Sequence, residues 1–186
     1  MVAKVTRTSN AILRTFVSRD YQFLYQLFQA YVNPILEYGA TVWFPTHNLR
    51  HNLQATRLES VLRRYTKRFR GMHNLSYSDR LHEINAKSIL CRSIHNDLVL
   101  FFKYLHGQAC MSLSRPPHKF NSGNSTRLAT SNYLQLDPVK YPGKYQFWLD
   151  RSIKLWENLP EAITNAPTLS NFKNLLDKIE LTELLR

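Results

Sequence analysis

The residues with the clearest chemistry are seven arginines and lysines between Arg50 and Arg70, a stretch whose one acidic residue is Glu59. They give this stretch a charge of +6, half of the +12 carried by the whole chain. Guanidinium groups match the geometry of phosphate oxygens and bind them through paired hydrogen bonds. The stretch therefore favours a polyanion with regularly spaced phosphates as its ligand.

The same stretch has the spacing of an amphipathic helix, predicted from about Leu53 to Phe69, with Gly71 as a natural C-terminal stop. At about 100° per residue the apolar side chains form one stripe. The stripe consists of Leu58, Val61, Leu62, Tyr65 and Phe69. The basic side chains lie on the opposite side of the helical wheel. The residues predicted to contact phosphates are Arg57, Arg63, Arg64, Lys67, Arg68 and Arg70.

Two other interpretations of this charge stay open at the level of sequence. A charged helix face can simply be solvated, and a basic amphipathic helix can bind an acidic membrane surface. The nearly uniform sign favours nucleic acid, because like charges on one face repel each other unless an anion neutralises them.

Two cysteine–histidine pairs have a spacing that could suit zinc. Cys91 and His95 are four residues apart, as are His106 and Cys110. A continuous predicted helix would hold the pairs about 16 Å apart, too far for one ion. We therefore expect no metal and no cofactor, and interpret these side chains as a half-buried cysteine and surface histidines.

Catalytic patterns are absent from the sequence. The six aspartates are isolated, without the Asp-Asp or Asp-x-Asp pairs that a two-metal nucleotidyl transferase requires. The five glycines are scattered, so there is no glycine-rich phosphate loop, and no Gly-x-Ser-x-Gly or His-Glu-x-x-His motif occurs. We expect no enzymatic activity from this chain on its own.

The elements that must position the basic stretch are predicted to be helices, so the fold class is mostly α. The chain has 186 residues, 44% of them apolar, which is enough for a substantial core. Apolar periodicity predicts further helices at 20–31, from Pro34 to about Phe44, at 79–84, at 87–106, and in two C-terminal segments around Trp156 and Phe172. The polar, basic N-terminus up to Arg19 shows no secretory signal, and no apolar run is long enough for a transmembrane helix.

Composition suggests three regions. Residues 1–107 form a predicted thumb-like helical region containing the basic helix near 53–70. Residues 108–143 are rich in Ser, Pro and Asn and are predicted as a linker with a short extended piece at Tyr133 to Leu136. Residues 144–186 are predicted as a C-terminal helical hairpin, in which Trp148 and Trp156 either pack in the core or offer a surface for bases or a protein partner.

An ordered series of short blocks resembles the region downstream of the polymerase palm in jockey-like non-LTR (LINE-type) retrotransposon reverse transcriptases. The blocks cover nearly the whole chain. They are Tyr31-Val32-Asn33-Pro34-Ile35-Leu36-Glu37-Tyr38-Gly39 with Val42-Trp43 and Pro45, Leu58 to Lys67, Leu75 to Leu81, Asn96-Asp97-Leu98, Phe102 to Gly107, Phe147 to Arg151, Trp156-Glu157-Asn158-Leu159-Pro160 and Phe172-Lys173. The Tyr/Phe-x-Asp-Asp motif of the palm does not occur in the chain.

The resemblance implies the thumb and post-thumb region of an RNA-directed DNA polymerase, with Met1 inside a longer reading frame. Such a region would grip RNA or an RNA–DNA or DNA duplex, without a membrane partner, and would pack against the palm of the parent chain. The life cycle of the family implies a location in both nucleus and cytoplasm. Two alternatives are a scaffold that only packs on the palm, and a domesticated adaptor that binds a protein through Trp148 and Trp156.

Overall fold

The computed structural model describes residues 1–43, 53–110, 118–119, 134–135, 148–179 and 181. It is mostly helical, which confirms the predicted fold class. The elements are α1 (Val2–Thr15), α2 (Tyr21–Leu27), a π-helical turn (Phe28–Val32), α3 (Asn33–Glu37), α4 (Ala40–Trp43), α5 (Leu53–Thr66), α6 (Tyr77–Glu83), α7 (Ile89–Leu105), β1 (His118–Lys119), β2 (Leu134–Gln135), α8 (Trp148–Glu157), α9 (Glu161–Thr164) and α10 (Leu169–Leu176). None of the helices within these ranges is long and apolar enough to cross a bilayer.

The chain divides into two compact units, residues 1–93 and 94–186. The division falls inside α7, whereas composition places a change of texture after Gly107. The three regions inferred from composition stay a prediction. Within the region predicted as a linker, β1 and β2 pair antiparallel, with His118 opposite Gln135 and Lys119 opposite Leu134. Strand β2 lies within the extended piece predicted at Tyr133 to Leu136.

Local capping explains why several predicted helices begin and end where they do. The Ser76 hydroxyl accepts a hydrogen bond from the Asp79 amide at 3.2 Å and begins α6. The Thr168 hydroxyl does the same for Asn171, at 3.2 Å, at the start of α10. Gly107 follows α7 with φ +65°, a conformation that glycine adopts without strain.

Helix α1 was not predicted, because the N-terminal residues are mostly polar. Its buried side chains are Val5, Ser9 and Ile12, a stripe spaced at three and four residues that includes a serine. An apolar pattern interrupted by a polar residue gives a weak helical signal. In the structure this stripe packs α1 against α5 and against the π-helical turn.

The helix predicted at 20–31 continues towards Pro34 through a π-helical turn. The Asn33 amide donates to the Phe28 carbonyl, five residues earlier, instead of four. Pro34 has no amide hydrogen and its ring crowds the carbonyl four residues before it, so a wider turn relieves both problems. The predicted helix from Pro34 to Phe44 is divided at Gly39, whose φ is +63°, and Phe44 lies outside the described residues.

The core of unit 1 is built around the apolar face of α5. Leu58, Leu62 and Tyr65 are each at most 2% exposed. The Tyr65 hydroxyl donates to the Leu24 carbonyl at 2.8 Å, and its ring packs 4.9 Å from that of Phe28. Helix α5 is therefore fixed on one side by α1 and α2, while its basic side chains stay exposed to solvent.

The core of unit 2 is aromatic. The Phe101 ring lies 6.2 Å from Trp148 and 5.3 Å from Trp156, and Phe172 stacks on Phe102 at 4.4 Å. Trp148 and Trp156 are only 2% and 4% exposed. Core packing is therefore the correct interpretation of the two tryptophans, because buried indoles offer no face to a base or a protein partner.

A buried ion pair joins α7 to α8 within the same unit. Arg151 Nε lies 2.7 Å from Asp97 Oδ2, and the two side chains are 3% and 2% exposed. Burial raises the pKa of Asp97 to about 6, and Arg151 opposes part of that rise through its charge and hydrogen bonding.

Candidate nucleic-acid interface

Helix α5 and the turns that follow it present the predicted phosphate-binding residues to solvent. Its buried positions are Ala55, Leu58, Val61, Leu62, Tyr65 and Thr66, with Phe69 buried just beyond its end. The six predicted basic residues, Arg57, Arg63, Arg64, Lys67, Arg68 and Arg70, are all exposed. Within the described part of the chain none of the six forms an ion pair with an acidic side chain. The predicted arrangement of an apolar stripe opposite a basic face is therefore present.

The helix ends at Thr66, three residues before the predicted end at Phe69. Beyond it, the Arg68 amide donates to Tyr65 and the Phe69 amide to Thr66, each to the carbonyl three residues earlier. The last three predicted cations, Lys67, Arg68 and Arg70, are thus placed by turns rather than by the helix. The backbone amide of Arg70 donates to the Arg19 carbonyl at 2.8 Å, which fixes this turn against the segment before α2.

The buried guanidinium of Arg80 accounts for the early end of α5. It donates from Nη2 to the Arg63 carbonyl at 3.3 Å and from Nε to the Thr66 hydroxyl at 3.1 Å. Nη1 donates to the Leu75 carbonyl at 2.6 Å. A cation at a helix C-terminus satisfies free carbonyl groups and complements the helix dipole. This role of Arg80 was not predicted from the sequence, because Arg80 lies outside the basic stretch.

Four of the six basic residues are divided between two edges of α5 and the turn after it. Arg64, Lys67 and Arg68 line a cleft of about 510 Å³ between α1 and α5. Arg63 lies on the other edge, where its guanidinium carbon is 4.7 Å from the centre of the Tyr77 ring. That distance is within the range of a cation–π contact. The sequence pattern predicts one row of cations. In the structure Arg64, Lys67 and Arg68 line the cleft beside α1, whereas Arg63 contacts the Tyr77 ring.

Glu59, the lone acid in the basic stretch, has a structural role that sequence analysis missed. Its Oε2 accepts hydrogen bonds from the amides of Ile89 at 3.0 Å and Leu90 at 3.4 Å, at the first residues of α7. Its Oε1 accepts a hydrogen bond from the Tyr77 hydroxyl. One carboxylate thereby ties α5 to both α6 and α7. A single acid among cations was the available signal, but its partners are 18 to 31 residues away.

The pKa values of Glu59 and of its partner Tyr77 are both raised. Burial raises the pKa of the Glu59 carboxyl, and the hydrogen bonds from Tyr77, Leu90 and Ile89 oppose that rise. Burial, followed by the charge and hydrogen bond of Glu59, raises the pKa of Tyr77 far above its ordinary value. Tyr77 therefore remains a hydrogen-bond donor throughout the physiological pH range.

Replacing Glu59 by alanine should lower the free energy of unfolding by about 2–3 kcal/mol. The change removes the acceptor of the Ile89 and Leu90 amides, although the Ser88 hydroxyl still accepts from the Cys91 amide. It also leaves the half-buried Tyr77 hydroxyl without its acceptor. Urea denaturation followed by circular dichroism measures the loss. Glu83→Ala, which removes an exposed glutamate of α6, is the matched control and should change stability by less than about 0.5 kcal/mol. Equal stability of the two variants would contradict the capping role.

The two cysteine–histidine pairs do not form a metal site in the described part of the chain. Among the described residues, no group of three or more His, Cys, Asp or Glu side chains could hold an ion. His106 instead stacks on Phe102, with 3.9 Å between ring centres, and its Nδ1 lies 2.9 Å from the Phe102 carbonyl oxygen. Cys91 is half-buried and Cys110 is exposed.

Comparison with known proteins gives one distant relative. An uncharacterized protein of Caenorhabditis elegans is 32% identical over 97 residues, which are 52% of this chain and 48% of that protein. The chain thus spans about half the length of the curated relative it matches. No known protein-family profile matches the chain, and neither does any solved structure. The name of the relative describes no activity, so the exposed basic face is the main guide to function.

Proposed function

We propose that this chain is a non-catalytic nucleic-acid-binding region, equivalent to the thumb and post-thumb part of a LINE-type reverse transcriptase. Its α5 face would contact the phosphates of element RNA or of a template–primer duplex. The observation that carries the proposal is the set of six exposed cations on and just after α5, without acidic partners among the described residues. The ordered sequence blocks that resemble these polymerases supply the parent enzyme.

The physical basis of binding is the release of counterions from the phosphate backbone. Each phosphate that a cation neutralises frees about 0.9 of a condensed counterion on a duplex. The α5 side chains can supply this without reorganising the fold, because their apolar neighbours already anchor the helix in the core of unit 1. Contacts to phosphates position a nucleic acid but read no bases. Binding with little sequence preference is the consequence.

The affinity for a duplex should fall steeply with salt. If roughly 4–6 phosphates are neutralised, log K against log salt has a slope of about −4 to −5. Fluorescence anisotropy of a labelled RNA–DNA duplex between 50 and 300 mM potassium chloride gives the slope, with a second duplex of scrambled sequence as the control. Affinity independent of salt would contradict the proposal.

A scaffold that packs on a polymerase palm is the second candidate. It is favoured by apolar side chains at the surface of unit 1, with Val17 91% and Tyr31 60% exposed. In that case the same titration would show no duplex binding, and the isolated chain would aggregate unless a palm were co-expressed. Binding by a monodisperse protein would exclude the scaffold as the sole function.

A further inference from the structure

The cleft between α1 and α5 has a composition that the helix face alone does not show. One wall carries Arg64, Lys67 and Arg68, and the opposite wall, on α1, carries Thr6, Ser9 and Asn10. His73 also lines the cleft, and Leu13, Val61 and Tyr65 supply apolar surface. Among the described residues that line it, none is acidic. A volume of about 510 Å³ is within the range of small-molecule sites, roughly 300–1,000 Å³.

Several donors in the cleft are not used within the described structure. The Lys67 ammonium, the Arg68 guanidinium, the Asn10 amide and the Thr6 hydroxyl have no hydrogen-bond partner among the described residues. Arg64 uses only Nε, which donates to the Ser60 carbonyl at 3.2 Å, so its two terminal nitrogens remain available. Ser9 is committed, since its hydroxyl donates to the Thr6 carbonyl at 3.0 Å.

The floor of the cleft is held in place independently of any ligand. The Tyr65 hydroxyl points to the Leu24 carbonyl, so the ring presents carbon to the cleft and is 1% exposed. Burial raises the pKa of Tyr65, which therefore stays neutral and adds no negative charge. Three cationic side chains above an uncharged floor favour the binding of an anion of high charge density.

We infer that this cleft binds a phosphate monoester dianion, with the 5′-phosphate of a nucleic-acid strand as the ligand that suits it best. Arg64, Lys67 and Arg68 would neutralise the dianion, while Asn10 and Thr6 donate to its oxygens from α1. A terminal phosphate carries more charge and one more free oxygen than a backbone diester, and can therefore use both walls at once. The inference deepens the proposed function, since it adds recognition of strand ends to contact with the backbone.

The test compares single-stranded 12-mers of one sequence with a 5′-phosphate or a 5′-hydroxyl, measured by anisotropy with a 3′ label. The phosphorylated strand should bind roughly tenfold more tightly, the value of one or more charge-assisted hydrogen bonds. Asn10→Asp places a carboxylate on the α1 wall and should abolish the preference. Because both strands meet the same added carboxylate, the ratio of their two affinities, and not either affinity alone, is the readout. Gln22→Glu, an exposed amide of α2, is the matched control and should keep the preference.

A second readout distinguishes the source of the phosphate. Inorganic phosphate and the phosphorylated 12-mer are titrated separately into ¹⁵N-labelled protein. Saturable amide shifts at Thr6, Asn10 and His73 with both ligands support the site, and tighter binding of the strand assigns it to nucleic-acid ends. Equal affinity assigns it to free phosphate.

Equal affinity for the two strands, with no shift on α1, overturns the inference while leaving the steep salt slope, and thus the proposed function, intact. Loss of duplex binding, with the shifts at Thr6 and Asn10 retained, would overturn the proposed function and leave the phosphate site in the cleft intact.

Discussion

Arg64→Glu combined with Arg68→Glu should lower the affinity for an RNA–DNA duplex about 50-fold at 0.1 M salt. Each lost phosphate contact removes about 0.9 of a released counterion, which is worth nearly tenfold in affinity at this salt concentration. The slope of log K against log salt should become shallower by about two units. Anisotropy titrations at several salt concentrations measure both quantities.

The fold should survive this double substitution, because both side chains are exposed and their buried neighbours on α5 are untouched. Circular dichroism checks that helicity is unchanged. Lys173→Glu with Lys178→Glu has the same change in net charge at exposed positions in and after α10. If this control loses as much affinity as the α5 variant, net charge rather than the α5 face governs binding.

The second large effect is expected in unit 2, where Arg151→Met should lower the free energy of unfolding by about 3–5 kcal/mol at pH 7. The substitution leaves the Asp97 carboxylate buried without its cation, a cost that ordinarily exceeds the value of the pair itself. Lys154→Met, at an exposed position of the same helix, should change stability by less than about 0.5 kcal/mol. Chemical denaturation of the three proteins measures the difference.

The double variant Asp97→Leu with Arg151→Met separates the ion pair from its burial. Two apolar side chains in place of the pair remove both charges, so stability should return to within about 1–2 kcal/mol of the parent protein. A double variant as unstable as Arg151→Met alone would show that shape, and not the uncompensated charge, is what α7 and α8 require.

The pH dependence of these variants has a definite sign. The pKa of Asp97 is raised from 3.8 to about 6 in the folded chain, so the native state binds more protons than the unfolded state between these values. The contribution of Asp97 to stability is therefore greatest below about pH 4 and falls as the pH rises through 6. Arg151→Met raises this pKa further, so the difference from the parent protein should widen above pH 6 and narrow near pH 4.5.

Apolar periodicity was sufficient to predict the helix that carries most of the basic stretch. The apolar stripe of α5 depends on residues close together in sequence, and so do the Ser76 and Thr168 caps and the stop at Gly107 that the structure shows. Helix α1 could not be predicted in this way, because Ser9 interrupts its buried stripe. The α1 wall of the cleft therefore remained hidden, although the α5 cations that line the other wall were identified.

The roles of Glu59 and Arg80 depend on contacts that sequence spacing does not reveal. Glu59 caps a helix that begins 30 residues later, and Arg80 ends a helix 14 residues earlier. Both act through burial, which converts a charged side chain from a solvated group into an obligatory hydrogen-bonding partner. A helical wheel places such residues on a face but cannot show what covers that face.

The most direct test of the central claim follows the arginine side chains themselves. The Nε–H resonances of ¹⁵N-arginine-labelled protein are recorded as an RNA–DNA duplex is added at low salt. We predict saturable shifts for Arg57, Arg63, Arg64, Arg68 and Arg70, which reverse on addition of salt, while the buried Arg80 and Arg151 keep their positions. Shifts confined to arginines outside 57–70, with this set unchanged, would contradict the assignment of nucleic-acid binding to the α5 face.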